Sequence, residues 1–193
     1  MPDWRLAMIS LLVAATGLVS DPVSAEPRRL AVPFEQLVAV ELATVGITPI
    51  SGAPVVILRA PASGSSVPIF IGPSEARAII TAQRAMSMPR PMTHDLASSL
   101  INALGGQLEA VIVDELREGT YFGALKITRP DAPDVLIDSR PSDGLALAVR
   151  TGAAILVAPE VLAAGSEVPF RGLGGEDDVV TAVGITVMLP GDE

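Results

Sequence analysis

Hydrophobic and polar positions alternate along this chain in two rhythms, and the switches between them mark its elements. From Leu37 to Val45 the period is two, with Val38, Val40 and Leu42 set against Ala39, Glu41 and Ala43. That is the pattern of a half-buried strand. Ser51-Gly52-Ala53-Pro54 turns the chain, Val55–Arg59 forms the next strand, and Val67–Ile71 returns after the loop Ala62–Ser66. Three strands in succession predict an antiparallel meander. The period then lengthens. Gly72-Pro73-Ser74-Glu75 opens a helix, with Pro73 suited to the first helical position and Glu75 to the positive end of the dipole. Ala76, Ile79, Ile80 and Gln83 share its face.

After the loop Met86–Pro91 a second helix starts at Thr93, whose hydroxyl is a good N-cap. Leu96, Leu100, Ala103 and Leu104 follow at helical spacing and predict one buried face, and Gly105-Gly106 ends the helix. Leu108–Leu116 alternates again, with Ala110, Ile112 and Asp114 on one side and Val111, Val113 and Glu115 on the other. The turn Arg117-Glu118-Gly119-Thr120 predicts a hairpin to Tyr121–Thr128. Pro130–Asp134 reads as a loop and Val135–Asp138 as a short strand. Ser142–Thr151 is a third helix, capped by Ser142, with Leu145, Ala148 and Val149 inward and Gly152 at its end. Ala154–Val157 is a buried strand and Pro159–Ala164 a short helix. Runs of strands with inserted helices predict an α+β fold, a mostly antiparallel sheet in a single domain.

The ends read differently. Leu6–Val19 is a short apolar run preceded by Arg5, and Val23-Ser24-Ala25 is a small-residue cleavage site. Residues 1–25 are therefore expected to be an export signal cut before Glu26, with an uncleaved anchor as the rival reading. The expectation is an exported, periplasmic protein with no membrane attachment after cleavage. A polar lead spans 26–36, the domain 37–165, and a Gly-rich acidic loop with a final strand at Val179–Leu189 lies within 166–193.

Composition narrows the chemistry. The 193 residues contain no cysteine, which excludes disulfides, thiol catalysis and thiolate metal sites. A single histidine makes a His-rich zinc site a poor expectation, while carboxylate-bound Mg²⁺ or Mn²⁺ stays open. The net charge of −9 does not make an electrostatic trap for nucleic acid, and 3% aromatic residues leave little for stacking bases.

The polar residues concentrate in two stretches. Arg90-Pro91-Met92-Thr93-His94-Asp95-Leu96 holds the histidine, and Asp138-Ser139-Arg140-Pro141-Ser142-Asp143-Gly144-Leu145 repeats its order of Arg-Pro, hydroxyl, Asp and apolar helix. A polar site is expected where these two helix starts meet. Asp95 and Asp143 also suit first helical turns, where a carboxylate only stabilises the helix.

These two stretches, preceded by Pro68-Ile69-Phe70-Ile71-Gly72 and Glu75-Ala76, resemble the bifunctional nuclease domain over roughly Leu37 to Leu162. The family usually carries Ala at the positions of Ser139 and Gly144. The resemblance implies an α+β fold, a homo-oligomer, and activity on DNA and RNA as found in some plant members.

Two readings follow. In the first, the chain is a metal-dependent nuclease with nucleic acid as its partner. His94, Asp95, Asp138 and Asp143 are then the catalytic candidates. Asp95, Asp138 and Asp143 are candidate ligands for Mg²⁺ or Mn²⁺, and Arg90 and Arg140 contact phosphate. In the second, it is a non-catalytic oligomeric binding module of the cell envelope, whose carboxylates pair with arginines or cap helices. Convergence of the acids in an open cleft favours the first reading, and their engagement by arginines or helix amides favours the second.

Overall fold

The computed structural model describes residues 28–48 and 52–167. The expected export signal, the acidic loop and the strand at Val179–Leu189 lie outside the described residues. The strands are β1 (Val38–Ile47), β2 (Pro54–Arg59), β3 (Ser66–Phe70), β4 (Gln107–Arg117), β5 (Thr120–Arg129), β6 (Ala132–Ser139) and β7 (Ala154–Val157). The helices are α1 (Pro73–Gln83), α2 (Thr93–Ala103), α3 (Pro141–Thr151) and α4 (Pro159–Glu167). One sheet runs in the order β3-β2-β1-β7-β4-β5-β6. It is an α+β fold, antiparallel throughout except where β7 lies parallel to β4.

Each half of the sheet is a meander. Between β4 and β5, Glu118 and Gly119 both have positive φ, at 51° and 76°. A two-residue turn with two positive φ values matches the twist of an antiparallel pair. The strand β6 begins three residues earlier than the sequence pattern indicates, after a turn at Pro130-Asp131. Pro133 is tolerated there because β6 is an edge strand and leaves one side of its backbone unpaired.

The main core joins Val56 and Leu58 of β2, Ile79 of α1, Leu145 of α3, Val157 of β7 and Val161 of α4. Beside it, Leu108, Val111, Leu125 and Ile127 lie under Leu147 and Ala148 of α3. Gly144 lets α3 settle onto β4, since a Cβ there would stand 2.5 Å from Val111 Cγ1. The opposite face of the sheet carries Ala110, Ile112 and Ala124, as the alternation along β4 requires. It is covered by Leu30 and Phe34 of the polar lead. The lead also secures a buried acid, because Asp114 accepts from Arg28 Nη2 at 2.6 Å and from Ala31 N at 2.7 Å.

Two expectations fail. The apolar positions of α2 do not form a buried face. Leu96, Leu100 and Leu104 are exposed, and only Ala97 and Ile101 reach the core. The helix caps also shift. Met92, not Thr93, is the N-cap of α2, because the Asp95 carboxylate reaches back to accept Met92 N at 2.8 Å. Arg140, not Ser142, is the N-cap of α3, because Pro141 takes the first helical position for which its fixed φ is suited.

Candidate functional site at three helix starts

The N-termini of α1, α2 and α3 are joined by one chain of polar contacts. Arg140, at the N-cap of α3, donates through Nε to Asp143 Oδ2 at 2.8 Å and through Nη2 to Glu75 Oε1 of α1 at 3.1 Å. The other oxygen of Asp143, Oδ1, lies 3.1 Å from His94 Nε2 on α2. The order is thus Glu75, Arg140, Asp143, His94. Burial pushes the Asp143 carboxyl up, but Arg140 and His94 more than reverse it and hold the acid below its ordinary range. An ionised carboxylate can only accept, so Nε2 of His94 carries the proton in this bond. Nδ1 is then the nitrogen free to take or give one.

Glu75 and Arg140 form the polar wall of a cleft of about 440 Å³ between the end of β3, the β4–β5 turn and the start of α3. Ile69, Ile71, Tyr121 and Ser142 line the rest. Burial pushes the Tyr121 phenol up, which makes it a hydrogen-bond donor to an incoming group rather than a base. Arg140 is well exposed here, so the cleft presents a guanidinium paired with Glu75 at its wall, while Asp143, itself in contact with His94, holds it from behind the lining. The formal charge of Glu75, Arg140 and Asp143 together is −1.

The other expected site residues lie elsewhere. Asp95 follows His94, but neighbouring helical positions point about 100° apart. It accepts from Arg150 Nε at 2.5 Å, and that bond holds its carboxyl below the ordinary range. Arg150 also donates to Ala78 O at 3.0 Å and Ala146 O at 2.7 Å, so it pins α1, α2 and α3 together. Asp138 is exposed on β6 and pairs with Arg28 at 3.1 Å. Arg90 lines a separate cavity of about 460 Å³ with Asp95 and Arg150.

Each of the three carboxylates expected to bind a metal is therefore engaged by an arginine, and the three do not converge. Among the described residues no group of three His, Asp or Glu side chains gathers to hold an ion. Among the described residues this donor set does not fit a divalent-metal centre. Glu75 is the residue that sequence reasoning passed over as a site member. A signal was present, because Pro73-Ser74-Glu75 and Pro141-Ser142-Asp143 share one order at two helix starts.

Fold and site together define a small α+β domain whose polar centre is built on helix N-termini. The family model of the bifunctional nuclease domain matches residues 56–169, and the chain belongs to that family. It is also 40% identical over 131 residues to an uncharacterized protein of Mycobacterium tuberculosis, in strains H37Rv and CDC 1551. The alignment covers 67% of this chain and 76% of the relative.

Proposed function

We propose that the chain is a nuclease that cleaves phosphodiester bonds of DNA or RNA at the junction of the three helix starts. His94 is the proton-transfer group, Arg140 the phosphate contact, and Asp143 the group that orients both. The observation that supports this is the position of Asp143, whose two oxygens hold His94 at 3.1 Å and Arg140 at 2.8 Å beside an open cleft. Proton transfer by a placed side chain, with a guanidinium on the phosphoryl oxygens, suits such a cleavage. The local charge adds a condition. A phosphate meets the net −1 of Glu75, Arg140 and Asp143, which opposes its binding beside the guanidinium. The metal-dependent form of the reading has less support, since its carboxylates are held by arginines. The exported, periplasmic location expected from residues 1–25 belongs to this proposal.

A second reading has its own supporting observation. Asp95 and Asp138 are engaged by arginines, and Arg140 is itself held by two carboxylates. This is the arrangement expected of a non-catalytic oligomeric binding module. One experiment separates the two. The purified full chain is assayed on single-stranded DNA and RNA with Mg²⁺, Mn²⁺ or chelator, beside His94→Ala. The nuclease reading expects cleavage that disappears in the variant while its melting temperature stays close to that of the parent. Cleavage that is absent, or equal in both proteins, leaves the module.

A further inference from the structure

A cavity of about 690 Å³ lies at the end of α2 away from His94. The last turns of α2 and α3, the start of β4 and the end of β5 enclose it. Its lining holds two arginines, Arg129 and Arg150, and no aspartate or glutamate, in a chain whose net charge is −9. The nearby acids are placed elsewhere. Glu109 pairs with Lys126 at 2.8 Å. Asp95 lines the separate cavity of Arg90, which Arg150 also borders. Asp131, in the turn after Pro130, is outside the lining.

Several donors in this lining are unused. The Arg150 side chain is only 8% exposed. Its Nε and Nη1 serve Asp95, Ala78 and Ala146, while Nη2 makes no hydrogen bond among the described residues. A buried N–H pair without an acceptor carries a desolvation cost that an incoming oxygen removes. Arg129 donates through Nη2 to Pro133 O at 2.9 Å, which leaves its Nε and Nη1. Ser98, Asn102 and Gln107 line the same cavity, and their side chains make no hydrogen bond among the described residues.

We propose that this cavity binds the phosphate monoester of a small polyol, such as a sugar phosphate. Arg129 and Arg150 hold the phosphate, and the amides of Asn102 and Gln107 hold the hydroxyl groups. Three observations select this class. Two guanidiniums with free N–H groups in a lining without acids suit an oxyanion. A phosphate monoester carries a charge of about −1.5 to −2 and three acceptor oxygens, so it uses two guanidiniums more fully than a carboxylate does. The unused amides fit a body that both donates and accepts, and the volume lies within the roughly 300–1,000 Å³ of small-molecule sites. The C-terminal ends of α2 and α3 oppose an anion here, but backbone amides already take their last carbonyls. Gly105 N donates to Asn102 O, Gly106 N to Ile101 O and Gly152 N to Ala148 O. Glu75, His94, Arg140 and Asp143 are not part of this lining, so the proposal stands whether or not the chain cleaves nucleic acid.

Calorimetric titration of the full chain with ribose 5-phosphate at low salt tests it. Saturable binding is expected, with ribose and inorganic phosphate each weaker, since each engages only part of the lining. Arg129→Ala removes an exposed guanidinium and weakens binding by about tenfold to a hundredfold. Asn102→Asp, at an exposed position of α2, sets a carboxylate in the cavity and weakens it as well, at unchanged far-UV dichroism. Arg140→Ala, at the helix-start junction, retains this binding, which separates the cavity from the phosphate contact proposed there. An absence of binding, an Arg129→Ala variant equal to the parent, inorganic phosphate as tight as ribose 5-phosphate, or loss of binding in Arg140→Ala overturns the proposal.

Discussion

Removing Arg28 tests whether the polar lead is part of the folded domain. Its guanidinium lies 2.6 Å from Asp114 Oδ1, and the Asp114 side chain is fully enclosed. In Arg28→Ala that carboxylate keeps one partner, Ala31 N at 2.7 Å. Breaking a buried pair from one side costs about 3–5 kcal/mol, because the remaining charge stays desolvated. Arg28 itself retains 16% exposure, so water enters the vacated space and the lower figure, about 3 kcal/mol, is expected. For a chain of this size that lowers the melting temperature by about 6–12 °C. Asp114→Asn behaves differently. The amide oxygen still accepts from Ala31, no charge is stranded, and Arg28 retains Asp138 at 3.1 Å. Its cost is nearer 1 kcal/mol, the worth of an ordinary hydrogen bond. The double variant should cost less than the sum, since with Asn at 114 there is no charge for Arg28 to neutralise. Urea titrations of the four proteins give the cycle. An Arg28→Ala variant within about 0.5 kcal/mol of the parent, the range of ordinary surface changes, would refute the reasoning, as would Asp114→Asn costing more than Arg28→Ala.

Further tests address the helices. Gly144→Ala gains about 1 kcal/mol of helix propensity but drives a Cβ to 2.5 Å from Val111 Cγ1, and overpacking costs about 1–3 kcal/mol. It should therefore be neutral to destabilising by about 2 kcal/mol, with relief in Gly144→Ala/Val111→Ala, and a clear gain in stability would contradict the close approach. Asp95 and Asp143 are both held below the ordinary carboxylate range in the folded chain. Their stabilisation is complete above that range and disappears as the pH falls through it. Melting curves from neutral pH downward should show a steep acid limb that Asp95→Asn flattens, and an unchanged limb would remove Asp95 from the account. Glu75→Gln frees Arg140 from one acid and raises the site's formal charge by one. Affinity for a short single-stranded oligonucleotide should rise severalfold at low salt, and an unchanged or weaker affinity would argue against Arg140 as the phosphate contact.

The strands were legible because alternation encodes which face of a sheet is buried, and six of the seven lie close to where that pattern puts them. β6 began early because its partner strand, not its own composition, sets how far an edge strand pairs. The leucines of α2 show the limit of periodicity. Spacing identified the helix and its apolar side, but the pattern does not say whether the same chain supplies the cover. The meeting of the Arg90 and Arg140 stretches was legible in part. His94, Arg140 and Asp143 did converge, while Asp95 turned to Arg150, a partner 55 positions away that no local motif announces. Asp138 was lost to Arg28 for the same reason. Glu75 went unnoticed because a carboxylate in a first helical turn has a sufficient local explanation in the dipole.

The position of β7 sets the order in which this sheet can be completed. β1, β2 and β3 can form a unit from nearby sequence, and so can β4, β5 and β6. The strand that joins them is the four-residue β7, which pairs with β1 on one side, Val38 with Val157, and with β4 on the other, Val113 with Val157. Until residue 157 has been made, each half-sheet carries an open edge beside its apolar face, and the closure spans more than a hundred residues. Such distant contacts form slowly, and open edges of this kind are where chains associate wrongly. A chain shortened before Ala154 should yield two unjoined meanders, whereas one shortened in the lead at the other end keeps its joining strand.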